Sequence, residues 1–382
     1  MSFGDIAGHE TAKQVLTRAI RTDRVSHAYL FEGPAHVGKT LTAVAFAKAL
    51  MCGEPPGPGE SCNACAICRA VQKGNHPDFL LLFPTSRLET KDEEGQKAIA
   101  EIEGSLIRRE AIGQLRDRAH GRAVSARRKV LIVSDAQAMN EEASNHLLKT
   151  LEEPPGRTTI LLTATSADSL LPTIVSRSQL VRFGPVPVAE TQAAMERAFP
   201  DLDPALVRSV AALSGGRPGW ARRLLEHPAT LAIRSRLLDR VARLASQPPL
   251  VCMKAAEMLI DDAEAWWNAT AAGSFSAKLF RENRDRVLRT QIGELLDILL
   301  TWFRDLSIAG EEGAEGLLIN ADRIAELKRG AERAPDCAAA GAAVSQAKEA
   351  LRGNANLRLT VEVMLIRVRR ALTAAVPEPA HP

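Results

Sequence analysis

Residues 28–51 read AYLFEGPAHVGKTLTAVAFAKALM, and this stretch decides the fold. AYLF is a short apolar run of the kind a buried parallel strand takes, and residues 40–51 form a helical pattern. Between them Gly33–Thr40 fits G-x-x-x-x-G-K-[ST], in the strand–loop–helix context the motif requires. Gly33 and Gly38 let the backbone curl so that successive N–H groups converge at a helix N-terminus, a cradle for phosphates. In such a cradle Lys39 reaches the terminal phosphates and Thr40 ligates Mg²⁺.

The same rhythm continues outward. DFLLLF (78–83), VLIV (130–133), TILL (159–162) and LVRF (180–183) are further strand-like runs, with amphipathic stretches at 106–119 and 141–152 between them. Strands alternating with helices predict a parallel sheet covered on its faces. After GPVP (184–187) the strand pattern stops. Residues 188–227 read as short helices broken at LSGGRPG (213–219), and 230–373 read as helix almost throughout. The tail VPEPAHP is too poor in apolar residues to pack. The charged segment 87–101 reads as a surface insertion. The fold class expected is thus α/β plus α.

Composition narrows the class. The net charge of +3 over 382 residues excludes a polyelectrolyte binder, so any nucleic-acid contact must come from a local patch. No apolar run approaches the ~20 residues a membrane span needs, and MSFGDIAGHE carries no secretory signature. Six cysteines, four of them clustered, do not describe a secreted disulfide framework in a chain of this size. A soluble cytoplasmic protein is expected.

Two further patterns bear on chemistry. In VLIVSDAQ the strand delivers Asp135 to the sheet's C-terminal edge, where ligands bind in such folds and a carboxylate holds Mg²⁺. Hydrolysis also needs a group that orients water, commonly a glutamate one residue on, and that residue is Ala136. A missing base costs roughly 10²–10⁴ in rate, so binding without useful hydrolysis is expected. Cys52, Cys62, Cys65 and Cys68 form C-x₉-C-x₂-C-x₂-C. Four thiolates suit a closed tetrahedral Zn²⁺, with an iron–sulfur cluster or a redox role as alternatives. Glu54, Glu60 and the absence of any lysine or arginine in 52–68 argue against an independent DNA-binding module. Cys252 and Cys337 read as core residues.

Arg108, Arg109, Arg116, Arg118, Arg122, Arg127 and Arg128 make the helix at 106–128 and its exit basic. This is a solvated face, a phosphate-backbone track or a subunit contact. Thr165, after a strand, is placed to face a γ-phosphate, and Arg177 follows a short helical turn.

HAYLFEGPAHVGKT, the four-cysteine module, NHLLKTLEEPP and LPTIVSRS, in this order, resemble bacterial clamp-loader subunits of the AAA+ class over about the first 225 residues. The resemblance implies a P-loop core with an inserted zinc module over 1–186, a small helical lid over 187–230, an all-helical collar over 231–373 and a loose tail over 374–382. Hydrolysing gamma/tau members carry Asp-Glu where this chain has Asp135-Ala136; the departure is similar to the delta-prime branch, a stator. By resemblance, Arg177 in Ser176-Arg177-Ser178 is a finger that acts on a neighbour's nucleotide, and Thr165 is the sensor-1 position. Arg217 falls two residues before the sensor-2 position, occupied here by Gly219. A gamma/tau motor would continue into a linker and further domains, so the stator is expected. Its partners would be gamma/tau and delta subunits, with the sliding clamp and primed DNA reached through the assembly.

Overall fold

The structure, a computed structural model, describes residues 2–57, 59–84, 106–120, 123–270, 273–333, 335–353 and 355–373. The expected insertion at 87–101 and tail at 374–382 lie outside the described residues, as does Arg122. Among the described residues the strands β1 (Ala28–Glu32), β2 (Phe79–Leu82), β3 (Lys129–Val133), β4 (Thr158–Ala164) and β5 (Gln179–Arg182) form one sheet in the order β2-β3-β4-β1-β5. Every pairing is parallel, with Phe31 opposite Thr163 and Val181 on either side. Each strand-like run of the sequence is a strand of this sheet.

The near-continuous apolar character of the strands follows from burial on both faces. Tyr29, Phe31, Val130, Ile132 and Leu161 point to one side, with α1 (Glu10–Arg21), α2 (Lys39–Met51) and α3 (Ala66–Gln72) packed there through Leu16, Phe46, Met51 and Val71. Leu30, Leu131, Val133, Ile160 and Leu162 point to the other, against α4 (Arg109–His120), α5 (Glu141–Glu152) and α6 (Pro172–Ser176). The alternation is the pleat of a strand, period two. Asn140 caps α5, its Oδ1 accepting from Ala143 N at 2.9 Å. Pro154 then bars continuation past Glu153.

The chain divides into two compact units, Met1–Ala100 with Ser105–Val207 and Gly215–Arg222, and Glu101–Gly104 with Arg208–Ser214 and Arg223–Pro382. The first holds the sheet, α7 (Val188–Ala198) and the opening of α8 (Pro204–Leu213) and of α9 (Pro218–Glu226). The second is helical: α10 (Ala229–Leu244), α11 (Val251–Thr270), α12 (Gly273–Ile308, with a break in helical geometry at Asn283), α13 (Ile324–Ala331), α14 (Cys337–Arg352) and α15 (Leu357–Thr373). Trp266, Leu295, Leu299, Val344 and Val361 lie in its interior. Buried Arg234 stitches that interior, donating to both Asp322 oxygens at 2.7 and 3.0 Å and to Asn320 Oδ1 at 2.6 Å. Cys252 is buried as expected, whereas Cys337 is only half-buried at the start of α14. No helix among the described residues is long and apolar enough to cross a membrane.

Candidate nucleotide and metal sites

The loop after β1 runs directly into α2, and its backbone dictates its residues. Gly33 has φ +151°, and a Cβ there would sit 2.0 Å from Phe183 O, so only glycine fits. Gly38 has φ +107° as the N-cap of α2, and no heavy atom lies within 4 Å of where its Cβ would be. That leaves open space over a helix N-terminus, which attracts phosphate. Buried Lys39 donates from Nζ to Gly33 O and Pro34 O, both at 2.7 Å. Burial pulls its pKa below the ordinary lysine value, and the Asp135 carboxylate offsets part of this. These residues fit a triphosphate: Lys39 would exchange two carbonyls for phosphate oxygens, and the bound nucleotide would supply the reactive phosphoryl group.

Thr40, the candidate magnesium ligand, meets a different partner from the one the sequence suggests. Its Oγ1 is 3.0 Å from Ser134 Oγ, and that hydroxyl donates to Asp135 Oδ2 at 3.2 Å. Asp135 follows in the left-handed region (φ 52°), its N–H held by Thr163 Oγ1 at 3.0 Å. Ala136, which stands where a catalytic base was sought in the sequence, is 1% exposed and packs into the core with Leu131 and Val133. The hydroxyl of Ser134, which sequence reasoning passed over, therefore faces Thr40, with the Asp135 carboxylate one step behind. Its signal was available: Ser134, itself buried, is the first polar residue after the apolar run of β3.

Two other contacts to the loop were missed. His9, at the start of α1, places Nε2 2.8 Å from Val37 O and packs against the Phe183 ring at 4.7 Å. Burial keeps its pKa below the ordinary value, so neutral imidazole donates to that carbonyl. On the other side Gly219 N donates to His36 O at 2.9 Å, and a Cβ on Gly219 would come within 3.0 Å of the same oxygen. Gly219 therefore presents backbone to the loop, while the Arg217 guanidinium lies over the Trp220 ring at 5.6 Å.

Thr165 is exposed just beyond β4. Arg177 ends α6, outside the group formed by Lys39, Thr40, Ser134 and Asp135. It is 37% exposed, and pairs with Glu152 at 2.9 Å and with Thr173 O at 3.2 Å. An exposed pair of this kind is worth about 0–1 kcal/mol, so the guanidinium can leave it for a stronger partner at little cost. The basic stretch is less available than its composition suggests. Arg118 donates to Phe79 O at 2.9 Å, and half-buried Arg128 to Thr159 Oγ1 at 3.2 Å. These two are engaged in the fold, not solvated.

The four cysteines converge behind the C-terminus of α2, all Sγ atoms within 4.8 Å of one another. The Cys52–Cys62 and Cys62–Cys68 sulfur separations are 3.6 and 3.9 Å. A tetrahedron with metal–sulfur bonds of ~2.3 Å has edges of about 3.8 Å, so the set can hold a metal ion. Backbone N–H groups of Cys62, Cys65 and Cys68 point at sulfurs at 3.4, 3.2 and 3.4 Å. Burial opposes ionisation of Cys65, yet N–H donation from Cys68 and Gly53 with the neighbouring thiols brings its pKa down to about 6. Buried Lys48 of α2 donates to Asn63 Oδ1 at 2.6 Å and to Gln72 Oε1 at 3.2 Å, tying the knuckle to the helix that leaves the phosphate loop.

Comparison with known proteins covers the sheet-bearing part of the chain. Residues 8–187, just under half of it, match the family model described as "DNA polymerase III, delta subunit". Over 203 residues the chain is 37% identical to the DNA polymerase III subunit delta' of Pseudomonas aeruginosa, covering 52% of this chain and 56% of that protein. Over 173 residues it is 35% identical to the delta' subunit of Bacillus subtilis, covering 45% and 46%. The tau/gamma subunit of Haemophilus influenzae shares 32% over 223 residues, 56% of this chain and 29% of that one. The match thus spans about half the length of the delta' relatives.

Proposed function

We propose, from the match of residues 8–187 to the DNA polymerase III delta-subunit family model, that the chain is a non-hydrolysing, delta-prime-like stator of a clamp loader. It supports ATP-dependent loading of a sliding clamp on primed DNA, in the cytoplasm, alongside gamma/tau and delta subunits. Residues 1–186 act as the AAA+ core with a structural Zn²⁺ on Cys52, Cys62, Cys65 and Cys68; 187–230 act as lid and 231–373 as collar.

The observation that supports the non-hydrolysing reading is Ala136, 1% exposed and packed in the core one residue after Asp135. No side-chain acceptor stands there to orient water, while Asp135 remains as the magnesium-side carboxylate. Gly33, Gly38 and Lys39 can still hold a triphosphate, Thr40 and Asp135 contribute what metal affinity remains, and Thr165 lies beside the γ-phosphate. Arg177, on the surface with an exposed pair to Glu152 and a bond to Thr173 O to release, acts in trans on the nucleotide of a gamma/tau neighbour. Fingers of this kind contribute about 10³–10⁵ in rate.

The test is ATP binding and turnover by the purified chain, alone and with a gamma/tau partner. Binding without turnover alone, and partner turnover that collapses with Arg177→Ala, are expected. Strong turnover by the isolated chain, abolished by Lys39→Ala, would instead make it a gamma/tau-type motor. The 32% identity to a tau/gamma subunit is what keeps that second reading in view.

A further inference from the structure

The phosphate loop leaves the C-terminal end of β1; a second concave site lies at the opposite edge of the sheet, where the strands begin. A cavity of about 590 Å³ is lined there by Arg21, Arg127, Arg128 and Arg157, with Asp23 as its one acidic residue and Cys52 on its wall. Arg127 and Arg128 immediately precede β3, Arg157 immediately precedes β4, and Arg21 is the last residue of α1. Ile20, Val25 and Leu50, packed on the core, also line it. We propose that this cavity binds linked phosphate groups, independently of the nucleotide cradle.

A charge balance favours a ligand over a purely structural role. The C-termini of α1 and α2 end at this edge and together supply roughly one negative charge; Asp23 supplies another. Against four guanidinium groups that leaves about two positive charges uncompensated. A divalent metal on four thiolates would carry two negative charges nearby, of which buried Lys48 offsets one, and Glu60 lies against Gly57 of the wall; the lining itself still presents four guanidinium groups against Asp23. The side chain of Arg128 is already oriented by its bond to Thr159 Oγ1 at 3.2 Å. Burial, reinforced by Arg157 and opposed by Asp23, works against its charge, so an anion beside it would be favourable. Guanidinium forks suit phosphate oxygens in pairs.

The experiment is titration calorimetry of the full chain with inorganic tripolyphosphate, in a Lys39→Ala background that silences the cradle. Binding is expected to persist there, to weaken with salt, and to fall about tenfold or more with Arg127→Gln/Arg157→Gln. Both side chains are exposed, so this variant keeps the fold. Arg197→Gln, an exposed arginine outside the cavity, is expected to leave binding unchanged. Adding a short single-stranded oligonucleotide identifies the source: displacement of tripolyphosphate assigns the site to a nucleic-acid backbone, and no displacement assigns it to a free oligophosphate. No binding in the Lys39→Ala background, or binding indifferent to the double substitution, would overturn the proposal.

Discussion

Asp78, wholly buried at the head of β2, holds the loop that enters β3. Its carboxylate accepts from Val124 N at 2.8 and 3.0 Å, Ser125 N at 2.9 Å and Ala126 N at 3.0 Å. Asp78→Asn keeps the shape, removes the charge and turns an amide NH₂ toward at least one N–H. Bonds to a charged group contribute about 1.5–3 kcal/mol each. Residues 124 and 125 are exposed, so water recovers part of the loss. The net cost should be about 3 kcal/mol, which lowers Tm by about 6–12 °C for a unit of this size. Burial works to raise the Asp78 pKa, but the three N–H donors win and hold it below 3.8. A depressed carboxylate pKa means the stabilisation is fully present above that value and lost as pH falls through the folded-state pKa. Thermal and urea unfolding from about pH 8 downward should therefore show a constant gap between wild type and variant to about pH 5, closing only below ~4. A Tm change under about 1 °C near neutrality, or a gap that shrinks between pH 8 and 5, would refute the assignment of these bonds as charge-assisted.

Other perturbations probe the sites. Ser134→Asp sets a carboxylate against Thr40 and should tighten magnesium-dependent ATP binding about tenfold, read by titration with a fluorescent nucleotide with and without Mg²⁺. Arg177→Ala should cut a gamma/tau partner's turnover by about 10³ or more while leaving this chain's own nucleotide affinity unmoved. Glu152→Gln, which removes only an exposed ion pair, should change that turnover by less than about fivefold. Gly33→Ala drives a methyl to within 2.0 Å of Phe183 O, so nucleotide binding should be lost together with several degrees of Tm. Cys65→Ser should abolish stoichiometric metal, measured by elemental analysis of the purified protein.

The sheet was legible because both its faces are buried: five short apolar runs admit little else, and the phosphate motif marks which of them is β1. The cysteine cluster was legible from spacing alone. What escaped depends on where a side chain points once a strand ends. Ser134 and Asp135 differ by one position, and the pattern VLIVSDAQ does not say which of them turns toward Thr40; the left-handed backbone at Asp135 decides it. Arg118 and Arg128 read as part of a solvated face, a phosphate-backbone track or a subunit contact because their acceptors, Phe79 O and Thr159 Oγ1, are distant in sequence. Lys48 of α2 drew no reading from the sequence for the same reason, its partners being Asn63 and Gln72.

That buried lysine also bears on how such a chain can change over generations. Helix α2 begins at the phosphate loop with Lys39 and ends against the cysteine knuckle, about 20 Å away at 1.5 Å per residue. Loop, rod and knuckle are contiguous from residue 33 to residue 72, and Lys48 locks the rod to the knuckle from inside. Loss of the knuckle would therefore loosen the far end of the helix that carries Lys39 and Thr40 at its start. Because Ala136 lies outside residues 33–72, a substitution there changes hydrolytic chemistry without touching the loop, the rod or the knuckle.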